Sequence, residues 1–371
     1  MKIRECSTWL DIDLGAIANN VAQLHQICGR PVIAVVKANG YGHGMVEAAR
    51  AALKGGAAWL AVARLEEALV LRAAGISANI LLMGYTPPER IVLAATENIR
   101  VTVYDAGVIE AYAAQLSAAG MTIHVHLKVD SGMGRLGIAP EDGAVFLRWL
   151  NEKRQLIVEG LFTHFARSDE PERPETHQQL ERFCTLLRAV EESGMRPSIV
   201  HAANSAAALY FPESRFDMVR CGIAIYGLSP ENEIDGLPAG FRPAATWKAR
   251  LTSVKTLPPG SGIGYGHHYI TRGSERIGVI SAGYADGFRR RLGNFVLAGG
   301  QRVPVRGGVC MDQCMIALDS VPEAKIGDEV VLIGRQGNSR ITAEEVGAEW
   351  STINYEVVCG LANRLPRFYR E

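Results

Sequence analysis

Short apolar runs alternate with longer stretches of helical periodicity through the first two-thirds of the chain. The runs predict strands at 32–36, 59–63, 80–83, 100–104, 123–129, 158–164, 198–202 and 218–226. Between them, helical spacing predicts helices at 14–27, 45–53, 65–74, 108–119, 141–152, 176–193 and 205–210. Asp13 stands where a cap for the first helix belongs. Eight strands with intervening helices predict an α/β chain whose first part is a (β/α)8 TIM barrel. The character changes near residue 235. Residues 228–243 are rich in Pro, Gly and acidic side chains and read as a linker. Short alternating runs then follow at 246–255, 277–281, 295–297, 303–305, 314–318 and 329–333, separated by glycine-containing turns. They predict a smaller, mainly-β C-terminal domain. The expected division is residues 1–235 and 236–371, with the first residues a candidate extra strand for the second domain.

Composition narrows the functional classes. Apolar residues are 48% of the 371 and charged residues 21%, enough for two cores and against disorder. Lys+Arg and Asp+Glu both count 39, so no net field favours nucleic acid or an anionic membrane. No run approaches the ~18 apolar residues of a membrane span. The seven cysteines are widely spaced without metal-ligand spacing, so reduced thiols, no metal and a cytoplasmic location are expected.

A barrel of this kind carries its chemistry at the C-terminal strand ends. Lys37 stands there after the first strand, Lys128 and then Arg135 after the fifth, and His164 at the sixth. Asn204-Ser205 follow the seventh, and Arg220, Gly222 and Ile223 belong to the eighth. Each has an ordinary structural explanation alone; their convergence on one face is the signal. Ser205 and the amides of Gly222 and Ile223 suit a phosphate. Lys37 leaves an apolar strand, which favours the free amine needed for Schiff-base chemistry. A phosphate cradle with such a lysine points to pyridoxal phosphate. The GSGIGYG run at 260–266 has no surrounding βαβ unit and is rejected as a dinucleotide loop.

The stretch AVVKANGYGHG at 34–44 resembles the cofactor-lysine motif of bacterial alanine racemases. So do HLKVDSGMGRLG (126–137), GLFTHFARSD (160–169), HAANSAA (201–207), FDMVRCGIAIYG (216–227), GIGYGHHY (262–269), GYADGFRRRL (283–292), VCMDQCMI (309–316) and TINYEVVC (352–359), in family order. The resemblance implies a pyridoxal-phosphate enzyme interconverting L- and D-alanine for peptidoglycan, in a head-to-tail homodimer. It implies Lys37 as the cofactor lysine and the base for D substrate, with Tyr265 of the partner subunit as the base for L substrate. It further implies Arg220 at the ring nitrogen with His164 behind it, and Arg135 at the phenolic oxygen. Ser205, Gly222, Ile223, Tyr41 and Tyr355 would bind the phosphate. Tyr284, Met311 and Asp312 would come from the partner to the substrate pocket, and Arg135 would meet substrate too. Lys128 is a candidate carbamylated lysine. A free tyrosine has a pKa of about 10, so Tyr265 needs cationic neighbours to act as a base. Serine/alanine racemases of the vancomycin-resistance type and non-racemase cofactor-binding proteins are the alternatives. The sequence gives no account of His267 and His268.

Overall fold

The computed structural model describes residues 2–371. Two compact units emerge. One comprises Ile17–Gly40 and Met45–Ile225; the other comprises the residues up to Ala16, Tyr41–Gly44 and Tyr226–Glu371.

The first unit holds eight parallel strands: Val32–Val35, Trp59–Val62, Asn79–Leu82, Ile99–Val103, Ile123–Lys128, Leu156–Phe162, Ile199–His201 and Val219–Cys221. The first seven strands pair consecutively, and the eighth pairs with the first through Ile33 opposite Arg220 and Ala34 opposite Cys221. The seventh and eighth strands form no ladder among the described residues. Backbone bonds from Asp217 N to Val200 O (3.0 Å) and from Arg220 N to Ala203 O (2.9 Å) join them instead. Val, Ile, Leu and Ala predominate in the strands, because a parallel sheet covered by helices is buried on both faces. The helices between them start and stop on local signals. Asp105 accepts from Val108 N at 2.9 Å, and Gly120 ends that helix in the left-handed region.

The eighth strand is shorter than its apolar run predicted. It stops at Cys221, and Ile223–Tyr226 is a 3-10 turn. The Gly222 and Ala224 amides turn to the Ser205 hydroxyl rather than to a neighbouring strand. Ile223–Tyr226 is buried in either conformation, so its apolarity could not distinguish them. A short helix, Ile91–Thr96, also lies where the pattern predicted none.

The second unit is built on a nine-stranded sheet. Its order is Ser339–Ile341, Glu329–Gln336, Phe295–Ala298, Gln301–Arg306, Cys314–Ala317, Glu275–Ile280, Ala245–Leu257, Thr8–Asp13 and Arg367–Arg370. Thr8–Asp13 runs antiparallel to Ala245–Leu257 and parallel to Arg367–Arg370. Trp9, Leu10, Ile12, Trp247 and Leu251 fill its core. Asp13 caps the following helix by accepting from Ala16 N at 2.7 Å. Residues 227–244 contain neither helix nor strand. The fold class is the barrel with a mainly-β partner that the sequence pattern implied.

Candidate active site

In the barrel unit, Lys37 stands two residues beyond the end of the first strand at Val35 and is half-buried. The next four residues, Ala38, Asn39, Gly40 and Tyr41, have φ of 52°, 53°, 61° and 50°, a left-handed turn. Such a conformation costs roughly 1–2 kcal/mol for each residue other than glycine. Side chains hold it open. Glu67 Oε1 accepts from Ala38 N at 2.7 Å, while Oε2 accepts from Ala63 N (2.8 Å) and Arg64 N (3.1 Å). Asn39 Oδ1 accepts from Met45 N at 3.0 Å, and Gly40 N donates to Val36 O at 2.9 Å.

Arg220, from the eighth strand, is buried with nearly all its donors committed. Nη1 donates to His201 Nδ1 (2.7 Å) and His201 O (3.1 Å). Nη2 donates to Thr163 O (2.8 Å) and Ala202 O (2.9 Å), with His164 Nδ1 at 3.2 Å. A guanidinium has five N–H groups, so the Nε–H is the one left for a further acceptor. Burial draws Arg220 down to about 9, which still leaves it protonated at neutral pH. Burial, then Arg220, Arg135, Lys128 and Lys37, hold His164 well below the ordinary histidine value. Two histidines thus stand against Arg220, His201 at 2.7 Å and His164 at 3.2 Å. Sequence reading passed over His201, although it opens the HAANSAA block.

Ser205 begins the helix Ser205–Tyr210, and its Oγ accepts from Gly222 N at 3.0 Å and Ala224 N at 3.4 Å. The Gly222 amide thus already donates within the chain. The Ile223 amide opens a 3-10 turn, whose first N–H groups have no acceptor within the turn. Lys128 is buried with its Nζ on Val129 O at 2.5 Å. Burial, then Arg220 and Arg135, lower it to about 7. The DSGMGR loop folds around one carboxylate. Asp130 Oδ1 accepts from Gly132 N (3.0 Å), Met133 N (2.7 Å) and Gly134 N (3.1 Å), and Oδ2 from Arg135 N (3.0 Å). Burial alone would raise this carboxyl; the four amides outweigh it and pull it below its usual range. The loop leaves the Arg135 side chain exposed. The barrel end thus gathers an amine, a second amine near neutrality, two cationic guanidinium groups, neutral histidine and a hydroxyl. That set suits an anionic, carbonyl-bearing ligand with a ring acceptor.

In the second unit, Tyr41 packs against Tyr226 (5.1 Å between ring centroids) and Tyr355 (6.3 Å). Tyr265 is 72% exposed on a turn between Gly264 (φ 69°) and Gly266 (φ 72°). The turn borders a cavity of about 580 Å³ lined also by His267, Cys310, Gln313 and Met315. Tyr284 N donates to Cys310 O and Ala285 N to Met311 O, each at 3.0 Å, which sets Tyr284 beside Met311. Both are exposed. Asp312 accepts from Arg364 Nη2 at 2.6 Å. Among the described residues no His, Cys, Asp and Glu cluster suited to a metal occurs, and no helix is long and apolar enough to cross a membrane.

Residues 12–230 match the family model "Alanine racemase, N-terminal domain", and residues 244–369 match "Alanine racemase, C-terminal domain". The chain is 46% identical to an alanine racemase of Symbiobacterium thermophilum over 365 residues, 98% of this chain and 97% of that protein. It is 44% identical to one of Desulfovibrio desulfuricans over 367 residues, 98% of each. Its fold superposes with TM-score 0.93 on the solved alanine racemase of Bacillus anthracis with bound L-Ala-P, at 42% identity over 98% of this chain and 95% of that one.

Proposed function

We propose a division of labour among the residues of this chain, which belongs to the alanine racemase family and interconverts L- and D-alanine. Its cofactor is pyridoxal phosphate. When bound, that group supplies a conjugated ring that accepts the electron pair left on Cα as the proton departs. The observation that carries this reading is the donor count at Arg220. One N–H remains there for an acceptor, beside a lysine and the hydroxyl and amide group of Ser205 and Ile223.

Lys37 would hold the cofactor through Nζ, and its amine, when free, would take or return the Cα proton on the face of D-alanine. Arg220 would offer its Nε–H to the ring nitrogen; a guanidinium keeps that proton, so the ring would serve as a weaker electron sink. The proton is then returned rather than lost to side reactions. Ser205, Gly222 and Ile223 bind the phosphate, the Gly222 amide by orienting the Ser205 hydroxyl. For Tyr41 and Tyr355 the proposed role is a hydroxyl to a phosphate oxygen. Arg135 steadies the phenolic oxygen and the substrate carboxylate. A carbamate on Lys128 would convert a desolvated amine into an anionic partner for Arg135.

The second base is Tyr265 from another copy of the chain, moving the proton at its Oη on the face of L-alanine. Its exposure, with that of Tyr284 and Met311, supports a homodimer in which these residues and Asp312 complete the other subunit's pocket. The product, D-alanine, feeds cell-wall peptidoglycan from the cytoplasm.

Complementation tests this arrangement. Lys37→Ala and Tyr265→Phe should each be inactive alone. Refolding the two together should restore up to about one quarter of wild-type racemisation, because half of the random dimers carry one intact site of two. No recovery would rule out the shared site.

A further inference from the structure

The buried side chains behind Arg220 continue into a line with only one arrangement of protons. Arg220 Nη1 is always a donor, so His201 Nδ1, 2.7 Å away, must accept. His201 therefore carries its proton on Nε2, which donates to His126 Nδ1 at 2.9 Å. His126 in turn carries its proton on Nε2, facing Glu159 Oε2 at 3.4 Å. Glu159 also accepts from Arg100 Nε at 3.1 Å, and its other oxygen lies 3.6 Å from His124 Nδ1. Burial would raise the Glu159 carboxyl, but bonds from His126 and Arg100 take it down to about 2. Burial keeps His201 and His126 neutral. A guanidinium at one end and a carboxylate at the other thus polarise two neutral imidazoles in one direction. The backbone makes room for this line. A Cβ on Gly160 would sit 2.1 Å from His126 Nδ1, so only glycine fits beside the ring.

We propose that Glu159 is a positioning residue for the racemase reaction, fixing the tautomers of His126 and His201 and through them the aim of the Arg220 guanidinium. This rests on the reading above, in which Arg220 meets the cofactor ring. Without an acceptor at Glu159, the buried His126 Nε2–H has no partner. Moving that proton to Nδ1 would confront the His201 Nε2–H and, one step on, set a donor against Arg220.

The test uses the full-length, cofactor-loaded protein with 15N-labelled histidine, as wild type, Glu159→Gln and Glu159→Leu. Wild type should show both rings as the Nε2–H tautomer. Glu159→Leu should populate the other tautomer at His126, shift the cofactor absorbance band and lower kcat by about tenfold, with KM for alanine little changed. Glu159→Gln should retain the wild-type tautomers and most of kcat, because the amide oxygen accepts the same bond although the charge opposite Arg100 is gone. Unchanged tautomers and kcat in Glu159→Leu would overturn the proposal. So would a Glu159→Gln variant that loses kcat while its tautomers stay native, since that assigns Glu159 only to the Arg100 ion pair. Should Glu159→Leu fail to fold, Glu159→Met, close to glutamate in length and equally without an acceptor, takes its place: native tautomers and wild-type kcat there would overturn the proposal, and a populated Nδ1–H tautomer at His126 with lowered kcat is expected. Failure of the racemase reading would appear separately, as a wild type that forms no D-alanine.

Discussion

Replacing Glu67 by alanine is expected to disarm Lys37 without touching it. One carboxylate serves three amides, those of Ala38, Ala63 and Arg64. Charge-assisted bonds of this sort contribute roughly 1–2 kcal/mol when half-exposed. The left-handed turn after Lys37 carries three residues other than glycine, Ala38, Asn39 and Tyr41. At roughly 1–2 kcal/mol each for Ala38 and Tyr41, and less for Asn39, about 2–4 kcal/mol of strain leans on its anchors. Loss of the anchor on Ala38 lets that residue relax toward an extended conformation, and Lys37 swings with it. A displacement of about 1 Å at a reacting group costs on the order of 10²-fold in rate. Glu67→Ala should therefore lower stability, read from urea unfolding, by about 1–3 kcal/mol. It should also reduce kcat for L-to-D conversion by about 10- to 100-fold, read by chiral chromatography. Glu67→Gln should fall between, because its single carbonyl oxygen can serve Ala38 or the Ala63 and Arg64 pair, not both. A Glu67→Ala protein that loses stability yet keeps wild-type kcat would refute the reasoning, showing that Asn39 and Gly40 hold the turn unaided.

Lys128, drawn to about 7, is largely neutral at pH 8 and should add carbon dioxide. With 13C-bicarbonate a carbamate resonance should appear that Lys128→Ala removes. In the unmodified protein the unfolded chain binds the Lys128 proton more tightly, so stability should rise with pH between about 7 and 10 and lose that slope in Lys128→Met, by urea unfolding. Gly42 has φ 81°, and a Cβ there would lie 2.0 Å from Val358 O. Gly42→Ala should cost about 3 kcal/mol or more in the same assay. Ser205→Ala removes the acceptor of two amides and should weaken cofactor retention about tenfold, read by absorbance after dialysis.

The barrel was legible because buried parallel strands are written as mainly apolar runs, bounded by polar residues or glycine. The limits of that signal are equally physical. Ile223–Tyr226 is buried as a turn, so its apolarity extended the eighth strand too far. Ala343–Glu349 and Asn354–Cys359 are short helices, below the length at which a 3.6-residue period stands out. The length of the turn after Lys37 was not legible. Asn39-Gly40 marks left-handed backbone locally, but Ala38 and Tyr41 on either side prefer right-handed backbone. In the site, residues at strand ends could be found one at a time, whereas His201 could not. Its place beside Arg220 and His126 depends on the register of three strands. Glu159 lay further still from any motif, because its link to Arg220 passes through two other side chains.

Arg220 also bridges the one place where the barrel lacks a ladder. From the eighth strand its guanidinium reaches the backbone oxygens of Thr163, His201 and Ala202, carried at the ends of the sixth and seventh. A single side chain thus rivets shut a gap that backbone alone closes with two bonds. Exchanging it for lysine or glutamine would loosen the hoop as well as alter the group offered to the cofactor. Kinetic losses in such variants would combine electronic and mechanical effects, and resistance to proteolysis at the gap would be needed to separate them.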